Sequence, residues 1–487
     1  MAAVTRTRLP LTTRLLAIVA CMLAIVGVTQ IAARLQTPAT RPPAQVDPLQ
    51  PTIGDLDGGL IGGIDGGARA SGGSSATGGS SDGGSAEARS AELDRLRANV
   101  AFWSARVARQ RDDFISSNRW GIAEIELARA TGDLDAYVRA EAAFDTTLAR
   151  DPTNAAALGY KGAVLVSLHR FVDARALAQQ VLSKRPADAV ALATLGDASL
   201  ELGDLTAARD AYQKADAINH SSATLVRLAR LAFIEGDTAS TRTLAEAAVK
   251  AGDGEDVQGE RAAFLRYQLA DVLVSTSDLD GAGREYAAAL RVDPGSFLAL
   301  SGLARVAAAK GDLDDAIDRL SAAISIVPQP EFLARRGDLY TLRAKAGDAD
   351  RASADYQTVE AIARLAAQSA SVYDRTLVYY LANHGLDPDR AVRLAADELA
   401  VRKDVYGYDA YAWALYAAGR LDEAEAAMSQ ASSFGTRDAK LMYHAGMIAA
   451  ALGKSQDARA DLDGALRLDP SFDPLQVRRA RQTLAGL

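Results

Sequence analysis

A single cysteine, Cys21, stands in 487 residues. It has no partner for an internal disulfide, and it cannot supply the thiolate cluster of a zinc site. The histidines number 4, and His169, His220, His384 and His444 lie far apart with no second ligand at metal spacing. No metal and no cofactor is therefore expected. Phosphate loops, zinc-protease helices, nucleophile elbows and a Gly-x-Gly-x-x-Gly following a strand are all missing, so nothing in the chain points to an enzyme. Aromatic residues make up only 6%, which leaves small side chains, alanine above all, to fill the apolar positions and implies a shallow core of closely packed helices. Basic residues are outnumbered, 54 Lys and Arg against 62 Asp and Glu. Without a basic stripe interleaved with aromatics, nucleic acid is not an expected partner.

One long apolar run exists, Leu15 to Val28, and Thr29 to Ala33 extend it to about the length a membrane helix needs. Arg6, Arg8 and Arg14 precede it, which places residues 1–14 in the cytoplasm and everything after the run outside. We read residues 15–34 as an uncleaved single-pass anchor. A cleaved signal peptide, giving a secreted form, shares the same charged and apolar regions, and Ile18-Val19-Ala20-Cys21 resembles a bacterial lipobox that would acylate Cys21. Residues 35–88 change abruptly to proline, then glycine and serine, a composition that cannot bury apolar surface and acts as a flexible tether. Between 89 and 119 the apolar residues Leu93, Leu96, Val100, Trp103, Val107 and Phe114 follow a 3,4 spacing. They predict one helix, either packing as a cap on the first helical unit that follows it or pairing as a coiled coil.

The rest of the chain repeats one frame. A pair of small residues is followed after twelve positions by alanine, four later by an aromatic or leucine, and often eight beyond by proline. Leu195-Gly196, Ala208 and Tyr212 show it; so do Leu269-Ala270, Ala282, Tyr286 and Pro294, and Leu303-Ala304, Ala316, Leu320 and Pro328. Gly162, Ala174 and Pro186 fit, and Ala445-Gly446, Ala458, Leu462 and Pro470 close the series. Each element has a physical role. Small residues let helices approach, Gly203-Asp204 and Gly311-Asp312 turn the chain and cap the next helix, and proline stops the second helix. A period of about 34 residues means stacked helical hairpins. Acidic pairs at the start of the second helix, Asp314-Asp315 and Asp422-Glu423, suit the helix dipole and are read as structural.

This pattern resembles the tetratricopeptide repeat family from about Trp120 to Pro470. It implies an all-α, right-handed α-solenoid of helix-turn-helix repeats, with repeats over 120–360, a degenerate stretch over 361–403, and further repeats with a cap helix carrying Arg478, Arg479 and Arg481 over 404–487. Arg343 to Gly347 carries about three extra residues. In the degenerate stretch, helices are expected over Ser371–Asn383 and Asp389–Val401.

The resemblance further implies that positions six and nine of each first helix face a concave, protein-binding groove. Those positions hold Tyr160, Thr194, Asp197, Arg227, Arg230, Gln268, Asp271, Arg305, Arg335, Asp338, Trp413, His444 and Met447. The arginines among them, Arg227, Arg230, Arg305 and Arg335, would favour an acidic peptide or an acidic helix face. The expected function is a bacterial-type, membrane-tethered scaffold that binds a protein or peptide partner outside the cytoplasmic membrane. The alternative is a noncatalytic regulatory or assembly subunit of an envelope enzyme or transporter.

Overall fold

A computed structural model of the chain describes residues 82–110, 113–366 and 375–487. Among these residues there are helices and no strands: α1 (Asp82–Arg109), α2 (Phe114–Thr131), α3 (Leu134–Arg150), α4 (Ala155–Ser167), α5 (Phe171–Lys184), α6 (Ala189–Glu201), α7 (Leu205–Ile218), α8 (Ser222–Ile234), α9 (Thr238–Gly254), α10 (Gly259–Ser275), α11 (Leu279–Val292), α12 (Phe297–Ala309), α13 (Leu313–Ile326), α14 (Pro330–Arg343), α15 (Asp348–Ala366), α16 (Arg375–His384), α17 (Pro388–Val401), α18 (Val405–Ala417), α19 (Leu421–Ser432), α20 (Ala439–Ala451), α21 (Ser455–Leu468) and α22 (Gln476–Gly486). From α2 to α21 they pair as successive hairpins, even-numbered helix first. The insertion expected near Arg343 appears as a left-handed Ala344 and Gly347 between α14 and α15.

The frame read from the sequence sets the spacing within each hairpin. A ring or leucine of the second helix lies on the residue of the first helix that has no side chain. A Cβ placed on Gly121 would come within 2.6 Å of Phe144, one on Gly337 within 2.5 Å of Tyr356, and one on Gly446 within 2.7 Å of Leu462. Gly196 stands in the same relation to Tyr212. Ala208, Ala282, Ala316 and Ala458 are completely buried where second helices cross first ones. Anything larger would push the pair apart. Several second helices are capped by the aspartate that ends the turn: Asp204 accepts the Ala207 N–H at 3.0 Å, Asp237 that of Ser240 at 3.0 Å and Asp312 that of Asp315 at 3.0 Å. Each such cap is worth about 1 kcal/mol.

Two expectations about the N-terminal side are corrected. α1 begins at Asp82, inside the stretch read as linker, because Ala86, Glu87, Ala88 and the following residues are good helix formers. Phe114 does not continue α1. The side chain of Asp113 takes the Ser116 N–H at 3.1 Å and starts α2, so the apolar stripe is split between two helices that pack together. No helix among the described residues is long and apolar enough to cross a membrane; the run from Leu15 to Val28 lies outside them.

The solenoid winds far enough for a later part to meet an earlier one. Gly203, in the α6–α7 turn, lies against the carbonyl of Lys403, and Gly236, in the α8–α9 turn, against the carbonyl of Gly435. Thr436 Oγ1 donates to Ile234 O at 2.5 Å. Ser277, in the α10–α11 turn, donates to Leu468 O at 2.6 Å. Three consecutive turns thus touch the ends of α17, α19 and α21, so the superhelix meets itself five hairpins later. Apolar side chains fill this seam: Leu200, Tyr212, Leu231 and Ile234 share one core with Val405, Leu415 and Ile448, and Leu202 and Val401 both pack against the cluster that holds Phe171.

Candidate binding site

The seam encloses ionic groups as well as apolar ones. Glu201, the last residue of α6, is 2% exposed; it receives Arg230 Nη2 at 2.7 Å from the neighbouring α8 and is also gripped by Arg402 from across the seam. Burial opposes its charge, but Arg402 and then Arg230 outweigh that and hold the carboxyl down to about 2. The Arg402 guanidinium also sits 5.7 Å above the Phe171 ring. Close by, Arg375 bonds to Glu398 at 2.6 Å and to Asp404 at 2.7 Å. His169 occupies the α4–α5 turn at φ 57°. Burial, and then the Arg402 charge, push its imidazole down to about 4.

Beside this network lies a cavity of about 420 Å³. Arg230, Gln268, Asp271 and Arg305 reach it from α8, α10 and α12, while Arg375, Arg402, Tyr406 and Asp438 reach it from the later part of the superhelix. Val226, Phe233 and Val272 give it an apolar wall. Asp271 accepts the hydroxyl of Tyr286 at 2.5 Å and faces Arg305 Nη1 at 3.4 Å. The Nε of Arg305 is buried with no hydrogen-bond partner. Chemically the site offers four arginines against two aspartates beside an apolar surface, an excess of fixed cations that suits an anion carrying a nonpolar part.

Of the groove positions named from the sequence, Arg230, Gln268, Asp271 and Arg305 therefore converge on one space. The others are used differently. Asp197 and Arg227 are each 3% exposed and bond to one another at 2.9 Å, with the Tyr212 hydroxyl donating to Asp197 at 2.7 Å. Thr194 is buried too, against Gly162. Asp338 takes the Tyr356 hydroxyl at 2.7 Å and His384 Nε2 at 2.9 Å. Tyr160 stacks on Phe144 with ring centroids 5.6 Å apart. Trp413 is wholly buried, donates to Asn383 at 2.8 Å and stacks on His444, which is itself enclosed and bonded to Asp409 at 2.8 Å. Met447 is buried in the same cluster. Arg335 pairs with Glu331 of its own helix at 2.7 Å. The arginines expected to act as one group are thus divided: Arg227 is consumed by Asp197, Arg335 stands apart, and Arg230 and Arg305 are joined instead by Arg375 and Arg402.

Those last two residues were not found from the sequence. Arg375 falls in the stretch where the repeat frame fades, and Arg402 lies in a link between hairpins. A frame of one repeat carries no sign of contacts some five repeats away. Glu201, Tyr406 and Asp438 were missed for the same reason.

A family model described as tetratricopeptide repeat matches residues 125–189, 161–223, 267–329 and 410–471. No curated protein matches the chain. Among solved structures, YrrB, described as a TPR protein with an unusual peptide-binding site, is 19% identical over 39% of this chain and 94% of its own, with a TM-score of 0.27. A thermophilic TPR protein of Thermus thermophilus is 19% identical over 43% of this chain and 99% of its own, with a TM-score of 0.33. The human IFIT1 dimer with PPP-AAAA is 13% identical over 78% of this chain and 87% of its own, with a TM-score of 0.42.

Proposed function

Since the chain is a tetratricopeptide repeat protein, a protein-interaction scaffold by the nature of its repeats, we propose that it is a membrane-tethered one that receives a protein or peptide partner outside the cytoplasmic membrane. The observation that supports the binding half is the convergence of Arg230, Gln268, Asp271 and Arg305, one or two from each of three successive first helices, on a single open space. Stacked repeats create such a surface by presenting equivalent positions side by side. The membrane half rests on the sequence: Arg6, Arg8 and Arg14 before the apolar run, and a glycine-serine tether after it that lets the repeats range near the bilayer.

Two measurements test the reading. Full-length protein carrying Arg305→Glu and Gln268→Glu is compared with the parent in crosslinking pull-downs from native membranes. Loss of specific partners in the variant is expected, and an identical partner set would refute the surface. Fractionation and protease shaving of intact cells then test the tether. The repeats are expected in the membrane fraction and open to external protease; soluble or protected repeats would refute the placement.

A further inference from the structure

We propose that the cavity at the superhelical seam binds a small amphiphilic anion: one carboxylate or phosphate group on an apolar body. This goes beyond the scaffold reading, and its failure would leave the partner measurement above unaffected.

The chemistry follows from what lines the space. Arg230, Arg305, Arg375 and Arg402 line it from both sides of the seam, four arginines against two carboxylates, Asp271 and Asp438. Arg230, Arg375 and Arg402 already bond to Glu201, Glu398 and Asp404, so they are held in place before any ligand arrives. Arg305 differs. Among the described residues it pairs with Asp271, at 3.4 Å and shared with the Tyr286 hydroxyl, and its buried Nε has no hydrogen-bond partner there. A buried guanidinium N–H without an acceptor is unfavourable, and an anionic oxygen is the acceptor that relieves it best.

The opposite requirement comes from Val226, Phe233 and Val272, which line the same space. A bare inorganic ion would leave that wall uncovered, and a neutral hydrocarbon would leave the Arg305 Nε without an acceptor. At about 420 Å³ the cavity lies within the size range of small-molecule sites. Its walls come from hairpins about four or five apart in the chain, so a ligand seated there touches both parts of the superhelix and resists their separation.

The test uses purified full-length protein in isothermal titration calorimetry and thermal unfolding. The probes are hexanoate and phenyl phosphate, their neutral partners hexanol and phenol, and inorganic phosphate. Saturable binding of at least one organic anion at one per chain, with a raised Tm, is expected. The matching alcohol or phenol and inorganic phosphate should bind at least about tenfold more weakly. Arg305→Gln should weaken the organic anion by about tenfold or more, whereas Arg335→Gln, which alters an arginine paired with Glu331 outside the cavity, should not. Gln268→Trp, which fills the space without removing a cation, should also abolish binding, and it decides the matter if Arg305→Gln does not fold. Three results would each overturn the proposal: no saturable binding at about 10 mM, where even a weak millimolar site would register; neutral probes or inorganic phosphate binding as well as the organic anions; or binding indifferent to both cavity variants.

Discussion

Thr436 donates its hydroxyl to the carbonyl oxygen of Ile234 at 2.5 Å, across 202 positions of sequence. A solenoid ordinarily bonds only neighbour to neighbour, and its stability is then a sum of local terms. Here the turns at Gly203, Gly236 and Ser277 each meet backbone from the later part of the chain, so early and late hairpins are coupled directly. The same contact that closes the superhelix brings Arg402 to Glu201 and completes the cavity.

Gly203 and Gly311 separate closure from turn geometry. Both hold a left-handed conformation, at φ 80° and 85°, so an alanine at either costs about 1 kcal/mol in backbone strain. A Cβ on Gly311 meets nothing within 4 Å, whereas one on Gly203 collides with the Lys403 carbonyl, which cannot rotate away. Gly203→Ala is therefore expected to be less stable than Gly311→Ala by about 1–3 kcal/mol in urea unfolding. Small-angle scattering should show a larger radius of gyration for Gly203→Ala alone. Equal stabilities and equal radii would mean that the seam does not hold in solution.

The hairpin register is tested at Ala208 and Ala316, both completely buried. Replacing either by leucine forces extra methylenes between two helices and should cost about 1–3 kcal/mol. Thermal unfolding close to that of the parent would show that the register is misplaced.

These alanines, with Gly196 and Tyr212, also show what was legible beforehand. Contacts inside one hairpin recur at fixed spacing, so the sequence displays them many times over. Even the break in spacing could be read: Tyr212 bonds to Asp197 and Tyr286 to Asp271, each 15 positions back, while Tyr356 bonds to Asp338 at 18 because of the residues inserted after Arg343. Which polar residues stay available was not legible. Arg227 and Arg230 occupy equivalent faces of α8, yet one is consumed by Asp197 and the other turns to Glu201 and the cavity. That difference depends on Arg402, brought there by superhelical closure, and no single repeat records the pitch that causes it.

The Asp197–Arg227 pair gives a prediction of its own. Both side chains are almost wholly buried, so Arg227→Met strands a carboxylate that retains only the Tyr212 hydroxyl. A loss of about 3–5 kcal/mol is expected. Asp197→Leu combined with Arg227→Met removes both charges and should recover much of that loss, since a buried pair often contributes little beyond its apolar replacement. Chemical denaturation of the two single variants and the double variant forms the cycle. Strictly additive losses would show that the two side chains are not coupled.

Acid should loosen the seam, and the sign can be worked out group by group. An unfolded histidine titrates near 6.5, while His169 in the fold is lowered to about 4, first by burial and then by Arg402. Between those values the unfolded chain binds the additional proton, so the contribution is complete above about 6.5 and declines as pH falls toward 4. Glu201 behaves likewise at lower pH: held at about 2 against an ordinary 4.5, it stabilises fully above about 4.5 and loses its contribution as pH falls toward 2. His384 has the opposite sign. Burial opposes its charge, but the Asp338 carboxylate overcomes this and raises its pKa, so it stabilises below about 6.5 and fades as pH rises through its folded value. The two histidines therefore slope in opposite directions, and variants must separate the parts. His169→Asn keeps a residue that tolerates the left-handed turn while removing the titrating ring. The stability difference, parent minus His169→Asn, should fall by about 2 kcal/mol between pH 7 and pH 5. A difference that stays flat across that range in urea unfolding would place His169 outside the reach of Arg402 and the seam.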